Sequence, residues 1–175
     1  HLLGTDALGR DVLSRLAYGA RVSMSVGIAG TLLAALIGVP AGLVAGYRGG
    51  GLDDLLMRIA DVQLAFPFIL LAIALLVALG AGIWNLVLIL GLSAWVTFAR
   101  VTRGQVLALR ELEFVEALQA LGARDSRILV KTILPNATSA LIVVASFAFA
   151  EMVLAEAALS FLGLADPPSI PSWGW

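Results

Sequence analysis

The chain has 175 residues, 61% of them hydrophobic and 13% charged, with a net charge of −1 and a mean hydropathy of +1.01. A water-soluble domain is nearer half apolar and a quarter charged, so lipid must be the solvent for much of this chain. The balance of charge excludes a bulk basic face for nucleic acid, and the absence of cysteine excludes disulfides and thiolate metal sites.

The one histidine is His1, and the start His1-Leu2-Leu3-Gly4-Thr5-Asp6 lacks the basic region and cleavage site of a signal peptide. The sequence begins without Met and stops at Trp173-Gly174-Trp175. It reads as an internal segment of a longer protein. Residues 1–21 are mixed. From Asp11 the series Val12, Leu13, Leu16, Ala17, Ala20 lies on one face and Arg15, Tyr18 and Arg21 lie elsewhere, which predicts an amphipathic helix lying in the membrane interface. Thr5 or Asp6 can cap an earlier turn.

Residues 22–46 carry no charge and are long enough to span a bilayer. Gly38, Gly42 and Gly46 recur every four residues, a small-residue face that lets another helix backbone approach. Helix packing is the preferred reading of that face over contact with substrate. Pro40 is expected to kink this helix near its end. Residues 47–61, with Gly49-Gly50-Gly51, Asp53, Asp54 and Arg58, read as a short polar turn. Residues 64–79 form a second expected span with Pro67 in its first turns, and 83–99 a third, with Trp84 suited to an interfacial belt.

Residues 100–135 are a charged insert. Phe114, Leu118 and Leu121 form a stripe, Gly122 can end the helix, Asp125 can cap the next, and Ile128, Leu129, Thr132 and Ile133 share a side. Pro135 is expected to stop that second helix. Asn136 can cap a fourth span over 137–162. The tail from Asp166 to Trp173 is too rich in proline for helix.

Four alternating spans place 47–61 and 100–135 on one side. Those loops hold Arg48, Arg58, Arg100, Arg103, Arg110, Arg124, Arg127 and Lys131, against Arg10, Arg15 and Arg21 on the other. The excess assigns the insert to the cytoplasm, so 1–21 and 163–175 are expected to face outward.

Chemistry is sparse. There is no phosphate-binding Gly-x-x-x-x-Gly-Lys stretch. Gly91-Leu92-Ser93-Ala94 suggests an intramembrane serine nucleophile, but no histidine lies in any span to activate it. No metal-ligand spacing occurs. Glu151 and Glu156 lie inside the fourth span. A charge there is expensive and faces a cavity or a partner. The two point about 140° apart on an ideal helix, so they do not form one site. Each either lines a pathway or, as for Glu156 near the outer interface, makes a structural hydrogen bond to another helix. Glu116 is either plain surface or part of a docking helix. Its helix is too short to be stable alone, so something must cover its apolar stripe.

The insert resembles the signature of the membrane subunits of bacterial ABC importers: Glu-Ala-Ala, three residues, Gly, nine residues, Ile-x-Leu-Pro. Here it reads Glu116-Ala117-Leu118, Gly122, and Thr132-Ile133-Leu134-Pro135. Leu118 stands for the second Ala and Thr132 for the Ile. The stretches from His1 to Arg15, Asp61 with Leu64-Ala65-Phe66-Pro67, and Glu156 to Leu164 followed by Pro167-Pro168 and Pro171-Ser172-Trp173-Gly174 resemble the second membrane subunit of the dipeptide/oligopeptide/nickel permease group. The resemblance covers essentially the whole chain. It implies an all-α, multi-pass bundle with the type I ABC importer permease fold, about four spans here, and one more on each side of the segment.

It implies further a non-enzymatic subunit in the bacterial inner membrane that holds no cofactor, with ATP and magnesium on partner subunits. The implied partners are a homologous second permease subunit, two cytosolic ATPases and an extracytoplasmic substrate-binding protein. Glu116, Ala117, Leu118, Gly122, Leu134 and Pro135 take the ATPase-coupling role, with Gly122 turning between two short helices. Peptide is the expected cargo, with nickel or glutathione as the alternative. A self-contained secondary transporter, the competing class, would place ion-coupling groups at mid-membrane, where this chain has only Glu151, and it would not need a docking insert.

Overall fold

The computed structural model describes residues 3–6, 9–164 and 172–174. The expected tail therefore lies mostly outside the described residues, as do His1, Leu2, Ala7 and Leu8 of the opening segment. The elements are α1 (Val12–Arg48), α2 (Gly50–Leu64), α3 (Phe68–Leu79), α4 (Ile83–Arg110), α5 (Glu113–Ala120), α6 (Asp125–Ile128), a π-helical turn (Leu129–Ile133) and α7 (Leu134–Phe161). Among the described residues the only strand-like pairing is an isolated bridge between Thr5 and Asp11.

Three helical runs are long and apolar enough to cross a membrane: Val12–Arg48, Ile83–Arg110 and Asp125–Phe161. Gly50–Leu64 and Phe68–Leu79 meet that test only together, as a broken pair. Several expected boundaries move. Residues 12–21 and 22–46 are one helix, since nothing at Val22 breaks the periodicity. Asp11 starts it, with its carboxylate accepting from the Ser14 backbone N–H at 3.0 Å and the Ser14 hydroxyl at 2.6 Å, a side-chain cap on the first orphan donors. α1 runs through Pro40 without ending.

The expected polar turn over 47–61 is instead helix α2, reached through Gly49 and Gly50 at φ 63° and 60°. Positive φ, which glycine adopts without a Cβ penalty, lets α2 begin with only Gly49 between it and α1. The expected span over 64–79 shrinks to α3. The pyrrolidine ring of Pro67 disfavours helix at Phe66, so α2 ends at Leu64 and α3 restarts at Phe68. Alone, twelve residues reach about 18 Å, short of a hydrocarbon core of about 30 Å. The third span extends past 99 to Arg110, so residues 100–110 belong to α4 and not to a loop.

The chain forms two compact units. The first contains the N-terminal half of α1, α3, the start of α4, the C-terminal half of α7 and residues 172–174. Val26, Leu76, Leu86, Ile89, Met152 and Leu159 are buried in it. Gly27 and Gly30 admit Phe149, Val153 and Met152 of α7 against α1: a Cβ on Gly27 would stand 2.8 Å from Val153 Cγ2.

The second unit contains the rest of α1, α2, the remainder of α4, α5, α6, the π-helical turn and the start of α7. Here Gly38, Gly42 and Gly46 seat α1 on α4. Added Cβ atoms would stand 2.6 Å from Phe98 Cβ, 2.6 Å from Thr102 Cβ and 2.8 Å from Val106 Cβ, and would press on the carbonyl oxygens of Trp95, Ala99 and Arg103. Backbone-to-backbone contact of this kind tolerates no side chain. α2 lies along α4 through two ion pairs. Arg103 Nε and Nη2 donate to Asp53 Oδ1 and Oδ2 at 2.6 and 2.7 Å, and Arg100 pairs with Asp61. A bidentate guanidinium–carboxylate pair fixes angle as well as distance. Beyond the Asp61 pair Trp95 Nε1 donates to Gln63 Oε1 at 2.7 Å, and Gln63 Nε2 donates to the Ser93 carbonyl at 2.9 Å.

Candidate functional site

The signature residues fall on the second unit, around α5. Glu113 and Glu116 occupy the first turn of α5, where negative charge complements the helix dipole. The helix rests on a buried cluster of Leu43, Val106, Val115, Ile128 and Ile133, with Tyr47, Leu109, Leu118 and Leu134 packed around it. The expected stripe is rotated. Val115 is the buried residue and Leu118 is half-buried, while Phe114 and Leu121 are 43% and 84% exposed. The register follows from α4 and the π-helical turn, which offer their apolar residues to the Val115 side.

α5 ends in a Schellman motif. The Gly122 N–H donates to the Gln119 carbonyl at 2.9 Å and the Ala123 N–H to the Leu118 carbonyl at 3.0 Å. Gly122 sits at φ 76°. A side chain there would meet open space, so the requirement for glycine is conformational and not steric.

Past this turn the structure departs from the expected pair of short helices. α6, the π-helical turn and α7 form one continuous run, Asp125–Phe161. Pro135 does not stop it. Proline removes a helical donor, and the run widens just before it, with the Leu134 N–H donating to the Leu129 carbonyl. A π-bulge is a standard way for a helix to absorb such a disruption. Asn136 does not cap a helix start. Its Nδ2 donates to the Thr132 carbonyl at 2.7 Å inside the helix. Asp125 is likewise no cap: Arg124 stands at that position without a side-chain bond.

Tyr47 is a residue the sequence did not flag. Its hydroxyl donates to Asp125 Oδ1 at 3.0 Å and accepts from Gln119 Nε2 at 3.3 Å, tying the last turn of α1 to both α5 and α6. Arg110 adds a second tie by donating from Nη1 to the Gly46 carbonyl at 2.9 Å. The result is a short helix clamped on its inner side and open on its outer side. Glu116 and Ala117 are exposed, and among the described residues no hydrogen bond or ion pair engages the Glu116 carboxylate.

The two carboxylates of α7 have opposite surroundings. Glu151 is exposed, and Glu156 is fully buried. Ser23 Oγ donates to Glu156 Oε2 at 2.6 Å and Ser160 Oγ to Oε1 at 2.7 Å. Both lie in the first unit. Among the described residues no group of three or more His, Cys, Asp or Glu side chains is placed to hold a metal ion.

Helices long and apolar enough to cross a membrane define a helical membrane protein. The chain belongs to the family of binding-protein-dependent transport system inner membrane components, whose model matches residues 38–174. It is 43% identical to the oligopeptide transport system permease protein OppC of Bacillus subtilis (strain 168), over 99% of this chain and 57% of that protein. It is 42% identical to the glutathione transport system permease protein GsiD of Pectobacterium atrosepticum, over 99% and 58%. It is 44% identical to the dipeptide transport system permease protein DppC of Bacillus subtilis (strain 168), over 99% and 54%. The chain thus spans just over half the length of these relatives. Its fold is similar to that of a chain of the MetNI methionine ABC transporter solved in inward-facing conformations, with a TM-score of 0.75 at 23% identity, covering 87% of this chain and 76% of that one. That likeness shows that the chain shares the fold of that transporter chain.

Proposed function

We propose that this chain forms part of the translocation pathway of an ATP-driven importer of peptides and transmits ATPase motion to it through α5. The observation that carries the reading is the state of α5. It is anchored on its inner side by Val115 and the Tyr47 hydrogen bonds, yet leaves Leu121 at its end 84% exposed and the Glu116 carboxylate without a partner among the described residues. An eight-residue helix is not stable in water by itself; this one is held rigid by the unit behind it and has an outer face free for docking. In this reading Glu116, Ala117, Leu118 and Gly122 meet a cytosolic ATPase, and Leu134 and Pro135 join that surface to α7.

ATP and magnesium are held by the ATPases, this subunit performs no chemistry, and the α5 side faces the cytoplasm of an inner membrane. A homologous second permease subunit and an extracytoplasmic binding protein complete the assembly. Peptide cargo is supported by the names of the oligopeptide and dipeptide relatives. The glutathione relative, at almost the same identity, favours the second reading, glutathione as cargo.

The test is co-purification of the full-length subunit with its co-expressed ATPases. Wild-type capture that is lost on Glu116→Lys or Gly122→Val, with membrane insertion unchanged, is the expected result. Equal capture by wild type and both variants would reject the docking role of α5. Cargo is then read from uptake of labelled dipeptide, oligopeptide and glutathione by the assembled complex.

A further inference from the structure

We propose that Ser23, Glu156 and Ser160 form a buried fastening site that locks residues 172–174 onto α1 and α7 of the first unit. The proposal does not depend on the docking role of α5. Glu156 is fully buried, and among the described residues no cation pairs with it. A buried carboxylate is tolerated only when its oxygens are satisfied, and here each receives one serine hydroxyl: Ser23 of α1 at 2.6 Å and Ser160 of α7 at 2.7 Å. The Ser160 hydroxyl thereby turns to a side chain four residues back in place of the usual backbone carbonyl.

Ser23 Oγ has lone pairs left after donating its proton, and it accepts the backbone N–H of Trp173 at 3.2 Å. The chain Trp173 N–H to Ser23 to Glu156 to Ser160 thus connects three separate segments. Packing follows the same lines. A Cβ on Gly19 would lie 3.1 Å from the Ser172 carbonyl carbon, and one on Gly174 would lie 2.6 Å from Ser160 Cβ. Trp173 Nε1 also donates to the Leu16 carbonyl at 3.1 Å. Glu156 is therefore a positioning residue: it makes the start of α1, the end of α7 and residues 172–174 move as one piece.

Removing Glu156 would leave two buried hydroxyls without an acceptor, and removing Ser23 would leave Glu156 and the Trp173 N–H each short of a partner, at a cost that corresponds to about tenfold or more in local opening. These 175 residues hold no cysteine, and the test uses a full-length complex in which any cysteine elsewhere is replaced. Ser172 is 6% exposed and its hydroxyl has no partner among the described residues, so Ser172→Cys is a near-isosteric buried thiol probe. Thr102, fully buried in the second unit and also unpartnered, supplies the control probe Thr102→Cys. Maleimide labelling is measured on the assembled full-length complex with and without Glu156→Ala and Ser23→Ala.

The expected result is labelling at position 172 that rises about tenfold or more while labelling at 102 stays slow. Unchanged labelling at 172, or an equal rise at both probes, overturns the fastening role. If Glu156→Ala fails to assemble, Ser23→Ala decides by the same two criteria.

Discussion

At the scale of single residues, the determining feature is how little room the structure leaves at its seams. Gly42 lies against the Ala99 carbonyl, Thr102 and the Arg103 nitrogen. Its neighbours are backbone atoms of α4, which cannot swing away as a side chain would. Gly42→Val is expected to lower stability by about 3 kcal/mol or more, read as a lower unfolding temperature and lower assembled yield in detergent. Gly122 is the opposite case: its Cβ would be free, and only φ 76° penalises it. Gly122→Ala is expected to cost about 1 kcal/mol, and Gly122→Asn less, because Asn tolerates the left-handed region. Equal costs for the two variants in thermal unfolding would show that something other than backbone conformation holds that turn.

At the scale of elements, α5 is stable only through what it packs on. Val115 is its one fully buried residue, surrounded by Val106, Ile128 and Ile133. Val115→Ala is expected to cost about 2 kcal/mol and to loosen α5 alone, seen as faster proteolysis or amide exchange over 112–124 while α4 stays protected. Loss of protection in α4 as well would mean that α5 and the second unit unfold together. α2 depends on charge in a similar way. Asp53→Ala removes both acceptors of Arg103 and leaves that guanidinium, one-third exposed, without its partner. Release of α2 from α4 is the expected result, detectable as new cleavage near Gly49 and Gly50. The charge-reversed pair Asp53→Arg with Arg103→Asp is expected to restore part of the protection.

At the scale of the whole molecule, orientation depends on how charges are used. The count of eight Lys and Arg against three assumes that each acts on the membrane alike. In the structure Arg100, Arg103 and Arg110 are engaged with Asp61, Asp53 and the Gly46 carbonyl. On the opposite side of that count Arg10 and Arg15 both bind Asp6. With those set aside, Arg48, Arg58, Arg124, Arg127 and Lys131 still stand against Arg21 in the count, so a cytoplasmic α5 remains the expectation. Impermeant thiol labelling of Gln119→Cys in right-side-out and inverted vesicles checks it, with labelling expected only in inverted ones.

The sequence by itself determined the solvent, the class and the family. An apolar fraction of 61% cannot be solvated by water, uncharged runs of 17 or more residues must be helical in lipid, and the spacing of Glu116, Gly122 and Pro135 is local enough to read directly. Tertiary structure decided everything that depends on a second segment. Whether Phe114 or Val115 faces inward is set by α4 and the π-helical turn, because both registers look amphipathic in isolation. That residues 50–61 are helix depends on the pairs from Asp53 and Asp61 to α4, which supply the order that three consecutive glycines withhold. Glu151 and Glu156 are the same residue type on the same helix, and Ser23, 133 residues away in the chain, joins Ser160 on the buried carboxylate and not on the exposed one. Local periodicity reports which faces a helix has; what each face meets is a long-range property, and in a membrane bundle apolar surface suits lipid and protein equally well.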